Sequence, residues 1–248
     1  MTTSSENRYW RGWATTGFAI VVMLAWFVSQ IVGSIAYVVG LKIHDPSINI
    51  IAVLEGAETD GNLISFAVVV SSIAGGVVCA FLAWLKPESD VWLYLGVKQV
   101  SLRTIAACLG LTFGFIVLAD ATTIAIGRDV VPEFMAIVYD SASFKPLLWI
   151  SLCLFAPVFE ELLFRGFLIP GWSQTRLGVV GAIILSSAAW ALIHVQYGPY
   201  ELTQIAVAGV ILGAMRVKTG SILPPIACHV FANIVATTEA AINIDQWL

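Results

Sequence analysis

Charge is scarce in this chain. Asp, Glu, Lys and Arg make up 11% of its 248 residues, where soluble domains carry about a quarter. The residues are 59% hydrophobic and the mean hydropathy is +0.91. So much apolar surface excludes a soluble globular fold and implies an integral membrane protein. Basic runs are missing too: the formal net charge is −4, and no stretch could track a phosphate backbone, which excludes nucleic-acid partners. Cysteine is sparse. Cys79, Cys108, Cys153 and Cys228 lie singly in apolar segments with no CxxC pair, so they read as small buried hydrophobes rather than disulfide or metal positions. There is no low-complexity tract, no soluble domain and no convincing internal repeat.

Long apolar runs are what the chain does have. The first, Gly12 to Leu41, follows Arg8 and Arg11 and far exceeds the roughly 7–15 residues of a signal-peptide apolar region. It reads as a retained helix. Crossing the hydrocarbon takes about 20 residues, and charge-poor stretches place helices at 13–39, 62–85, 103–126, 146–170, 177–196, 201–217 and 220–242. The expected fold is therefore all-α, a polytopic transmembrane bundle of about seven spans, with six to eight as the range. Span 201–217 is expected to be the weakest, because only Leu202 to Met215 is free of charge and Arg216 and Lys218 must snorkel. Ile48–Leu54 reads as a short interfacial helix, and nothing reads as strand, since an open strand edge cannot face lipid.

Lys and Arg are unevenly shared between the two sides. With a cytoplasmic N-terminus, that side holds Arg8, Arg11, Lys86, Lys98, Arg103, Arg176, Arg216 and Lys218, and the other holds Lys42, Arg128 and Lys145. The acids Asp45, Glu55, Glu58, Asp60, Asp129, Glu133 and Asp140 fall on that second side. The positive-inside rule then gives a multi-pass protein of the cell (inner or plasma) membrane with its N-terminus in the cytoplasm.

Three C-terminal helices bring polar groups into apolar surroundings, where ionisable side chains are functional candidates. The first carries Glu160-Glu161-x-x-x-Arg165. Glu161 and Arg165 are i,i+4 and can pair, while Glu160 points about 100° away and is left for another task. The second ends Trp190-x-x-x-His194, spaced so that indole packs on imidazole. The third carries His229-x-x-x-Asn233, again on one face. His194 sits deeper from its helix start than the other two, so tilt or a displaced helix start must bring them level. A carboxylate in such a site can act as general base on water, with His or Asn donating to an oxyanion. Two His and one Glu (Glu160, His194, His229) could instead hold zinc with an open water position. The residues alone fit both.

In this order, with 33 residues from Glu161 to His194 and 35 from His194 to His229, the three motifs resemble the CAAX protease and bacteriocin-processing (CPBP) family of intramembrane proteases, type II CAAX prenyl endopeptidase-like. Thr219-Gly-Ser-Ile-Leu-Pro-Pro225 resembles the lead-in to its last motif. The resemblance covers roughly 145–240, dividing the chain into generic transmembrane helices (1–144) and a catalytic region (145–240). It implies Glu160 as the water-activating base, Glu161 and Arg165 as the partners shaping the helix, His194 and His229 as the site histidines, and Asn233 as the oxyanion-side or supporting amide. The implied activity is hydrolysis of a peptide bond in a membrane-associated protein or peptide. Eukaryotic members remove the last three residues of prenylated proteins at the cytoplasmic side. The family was once described as metalloproteases. A metal-free, glutamate-activated water is the favoured mechanism here, and a divalent metal such as zinc the other. One departure is Trp190, where the family usually carries Phe; it keeps an aromatic and is expected to alter little beyond pocket shape.

Two rival readings remain. A non-catalytic immunity or scaffold partner would keep the motifs for packing. A transporter or proton relay would want an acidic path, whereas the acids here cluster in one helix, and broken half-helices and inverted repeats are absent. Asp120 is a further intramembrane acid near the outer end. Glu201 and Glu239 lie near helix ends and are expected to be solvated. Trp10, Trp13, Trp172 and Trp247 suit an interfacial aromatic belt. Gly75-Gly76 and Gly209-x-x-x-Gly213 suit close helix packing. The oligomeric state is open.

Overall fold

The computed structural model describes residues 8–87 and 89–247, and among them every regular element is helical. In chain order these are α1 (Trp13–His44), α2 (Ile50–Glu55), α3 (Gly61–Trp84), α4 (Val91–Leu95), α5 (Leu102–Ala125), α6 (Glu133–Ser141), α7 (Lys145–Ser173), α8 (Gly178–Leu192), α9 (Pro199–Thr219) and α10 (Leu223–Ile242). A short 3₁₀ turn, Ile244–Gln246, follows. The expectation about the N-terminus itself concerns residues 1–7, which lie outside the described residues.

Six helices, α1, α3, α5, α7, α9 and α10, are long and apolar enough to cross a membrane. The chain is a polytopic helical bundle. Its helix starts follow from local chemistry: Asn49, Asp60, Asp90 and Ser101 each accept hydrogen bonds from backbone N–H groups of the first turn, satisfying donors that a helix leaves orphaned. Gly96 and Gly220 end α4 and α9 in the left-handed conformation.

The short span differs from the expected one. α9 runs 21 residues, and Arg216 is buried against Gly96 and donates to Tyr9 instead of snorkelling. α8 has 15 residues and stops at Leu192, so His194 lies in the turn beyond it. α2, Ile50–Glu55, forms a short helix where one was anticipated over Ile48–Leu54.

α7 is not a plain α-helix. It widens into π-helical turns at Ser151–Phe155 and Leu162–Leu168. Each turn precedes a proline, Pro157 and Pro170, and contains the residue four before it, Cys153 and Gly166. A proline has no N–H and its ring clashes with that carbonyl; a π turn absorbs both defects without breaking the helix. The segment between them, Ala156–Glu161, carries the two glutamates.

The bundle has a closed end and an open end. At the closed end Trp10 Nε1 donates to the Leu82 carbonyl at 2.9 Å, Trp172 Nε1 to Thr16 at 3.0 Å, and the Ile222 N–H to the Gly96 carbonyl at 2.9 Å. Tyr94, Leu95, Phe164, Phe167 and Leu163 fill the space between. Trp10 and Trp172 are thus packed into the protein rather than standing in an aromatic belt, because their indole N–H groups find partners inside; Trp13 and Trp247 are exposed. At the open end the loops are tied by Arg128–Glu201 at 2.8 Å and by Asp245 accepting from the Val130 and Val131 N–H groups.

Candidate active site

Glu161 and Arg165, the expected i,i+4 pair, meet at 2.9 Å with neither side chain exposed. Arg165 Nη2 also donates to the Gly209 carbonyl at 3.2 Å, and its guanidinium lies 4.4 Å from the Trp190 ring. The pair is therefore held from α7, α8 and α9 together, while Glu161 Oε2 and Arg165 Nε are buried without a hydrogen-bond partner among the described residues. Glu161 Oε1 accepts a second bond, from His229 Nδ1 at 2.9 Å. With Glu161 ionised, that nitrogen carries the proton and Nε2 is left as a lone pair. His229 Nε2 stands 3.9 Å from Glu160 Oε2.

Glu160 is held from its other side. Trp190 Nε1 donates to Glu160 Oε2 at 2.5 Å, a charge-assisted bond that a phenylalanine could not make. The substitution at this motif position changes the hydrogen bonding of the carboxylate, not merely the shape of the pocket. The Trp190 ring is edge-on to both His194 and His229, with centroids 5.4 and 5.1 Å apart, so the expected contact with His194 forms. His194 Nδ1 bonds the Trp190 carbonyl at 2.8 Å. A carbonyl only accepts, so Nδ1 carries the proton and Nε2 is the unprotonated nitrogen of the neutral ring. Asn233 Nδ2 donates to the Leu152 carbonyl at 2.7 Å, leaving its second N–H.

Glu160, Trp190, His194, His229 and Asn233 all line one cavity of about 1690 Å³. Its walls come from both halves of the chain, including Trp26, Gln30 and Ile35 of α1, Ser72 of α3 and Thr112 and Phe115 of α5. The N-terminal helices, generic by sequence, build the chamber. Asp120, Glu201 and Glu239 line it as well. Glu201 is paired with Arg128 and Glu239 is half-buried, so neither is simply solvated. Acids therefore reach the cavity from α5, α7, α9 and α10 and do not cluster in one helix. The cavity nonetheless ends around Glu160, Leu212, Cys228 and His229, above the packed closed end. Gly75 lies against Phe159 and Gly209 against Ser187, whereas a Cβ at Gly76 would meet only Leu162 Cδ1, at an ordinary 3.9 Å.

Tyr197 is a lining residue that the motifs did not reveal. Its ring stacks on His194 with centroids 6.3 Å apart and meets Phe134 edge-on. Burial pushes its phenol above the usual range, against a hydrogen bond from Gln196 and with the charges of Glu160 and Glu201. The only sequence signal was its place three residues after His194. Among the described residues no three His, Cys, Asp or Glu side chains gather closely enough to hold a metal ion. Of the expected set, Glu160 and His229 approach each other at 3.9 Å, and His194 is fixed by the Trp190 carbonyl with Nε2 as its lone-pair nitrogen. The four cysteines are free thiols, and Cys108 alone is not fully buried.

Residues 142–235 match the family model described as Type II CAAX prenyl endopeptidase Rce1-like. The matched span contains all three motifs and agrees with the region of resemblance. No curated protein and no solved structure matches the chain.

Proposed function

We propose that this chain, whose residues 142–235 match the Rce1-like model of type II CAAX prenyl endopeptidases, hydrolyses a peptide bond at the floor of its membrane-embedded cavity. The observation that carries the reading is the convergence of Trp190 and His229 on Glu160 Oε2, backed by the buried Glu161–Arg165 pair. A water between Glu160 and His229 Nε2 would give its proton to the Glu160 carboxylate while its oxygen attacks the substrate carbonyl. The tetrahedral intermediate collapses with cleavage of the C–N bond, and the proton passes from Glu160 to the leaving amine.

The oxyanion needs donors. His194 and His229 offer only Nε2 lone pairs as neutral rings, so the free N–H of Asn233 is the better candidate. Glu161 and Arg165 act through His229 and Trp190; they are positioning residues. The zinc alternative would use Glu160, His194 and His229, and the present separation of those side chains speaks for the metal-free route. The substrate class is a membrane-associated protein or peptide.

The test compares membranes from cells carrying wild-type protein or Glu160→Gln at equal level, by terminal-peptide mass spectrometry. Termini present with wild type and lost with the variant are expected. Identical termini would overturn the reading and favour the immunity or scaffold role.

A further inference from the structure

The cavity has one end in the open-end loops and the other at the catalytic cluster, and this gives the site a direction. Glu58, Pro132, Phe134, Val195 and Tyr197 line its outer part. Its deepest lining residues on α5, α7, α9 and α10 are Thr112, Glu160, Leu212 and Cys228, with His229 next to Cys228. Thr112 and Leu212 each lie thirteen residues from the open-end terminus of their helices, or about 20 Å at 1.5 Å per residue. None of the described closed-end loop residues lines it.

The two ends also differ in charge. Arg8, Arg11, Lys86, Lys98, Arg176 and Lys218 all belong to the closed end. The cations of the open end are Lys42, Arg128 and Lys145, set among many more acids. Each is folded back onto the protein: Lys42 Nζ donates to the Pro46 and Ile48 carbonyls at 2.6 and 3.0 Å, Arg128 pairs with Glu201, and Lys145 bonds the Tyr139 carbonyl. Positive-inside orientation therefore puts the closed end in the cytoplasm.

We infer that the catalytic cavity opens to the non-cytoplasmic face, and that its substrate is a membrane-anchored polypeptide presented there, with an apolar chain lying against α1 and α5. This rests on the hydrolytic reading for the word substrate, and on geometry and charge alone for the face. The apolar chain is inferred from the walls: Ile31, Ile35 and Val39 of α1 and Phe115 and Ile116 of α5 all line the cavity, while α1 packs mainly on α3 and α5 mainly on α10. The arrangement departs from the cytoplasmic trimming of prenylated proteins that the resemblance implies.

The experiment labels single cysteines with a membrane-impermeant maleimide, against the unsubstituted chain as background. Glu58→Cys and Glu133→Cys are exposed at the open end, and Gln99→Cys and Arg176→Cys at the closed end. The first two should label as fully in intact cells as after permeabilisation, and the second two only after permeabilisation. The reverse pattern overturns the inference. In parallel, termini that depend on Glu160 should map to non-cytoplasmic or membrane segments of their proteins; termini in cytoplasmic segments would also overturn it. If no terminus depends on Glu160, the hydrolytic reading and the substrate assignment fall together, while the labelling pattern still decides the face.

Discussion

Trp190 is the residue on which the site turns. One side chain bonds Glu160, covers Arg165 and meets both histidines edge-on. Trp190→Phe keeps a ring over Arg165 and removes the N–H. Loss of one charge-assisted hydrogen bond, about 1.5–3 kcal/mol, should lower kcat by about tenfold or more with KM and Tm nearly unchanged. An equal fall in Tm would mean that the indole serves packing instead. The buried pair beneath it behaves differently. Arg165→Met leaves Glu161 uncompensated and should cost about 3–5 kcal/mol in thermal or denaturant unfolding, whereas Arg165→Met with Glu161→Met should cost less than the sum of the two. Much of this was legible: i,i+4 spacing put Glu161 on Arg165 and Trp190 on His194. What spacing cannot carry is a contact between helices, and the Glu161–His229 and Glu160–Trp190 bonds are both of that kind.

At the scale of elements, hydropathy located the spans within a few residues because lipid demands unbroken apolar helices. It misjudged which span was short. A charged residue near a helix end reads the same whether it snorkels to water, as expected of Arg216, or is tucked inside against Gly96, as found. The π turns of α7 were hidden for another reason: prolines are visible in a sequence, but whether a helix breaks, kinks or widens at them depends on its neighbours. α8 and α9 approach closely where Gly209 meets Ser187, and a Cβ added to Gly209 would lie 2.8 Å from the Ser187 Cβ. Gly209→Val should therefore force these helices apart, destabilising by about 1–3 kcal/mol, and should pull the Gly209 carbonyl from Arg165. Gly76→Ala, whose Cβ would make only an ordinary 3.9 Å contact with Leu162 Cδ1, is the control and should leave Tm unchanged.

For the whole molecule, the chamber needs the N-terminal helices as much as the motif helices, which no motif search could show because apolar wall residues carry no signature. Two tyrosines outside the membrane-spanning segments report on the integrity of its two ends. Tyr94 at the closed end and Tyr197 at the mouth both have phenols pushed above the usual range, burial being the largest cause in each. A group whose folded-state pKa is raised stabilises the fold below its unfolded pKa and loses that contribution as pH rises. Stability should therefore hold to about pH 10 and decline above it, and Tyr94→Phe with Tyr197→Phe should flatten the decline. A decline of the same steepness in the double variant would show that neither phenol is linked to folding.

The central claim is that Glu160 activates water. Glu160→Gln keeps the size of the side chain and removes its basicity, so it tests that claim without disturbing packing. With a substrate identified by its Glu160-dependent terminus, turnover by the purified variant in bilayers should fall at least 100-fold at unchanged Tm. Turnover within threefold of wild type would contradict the account.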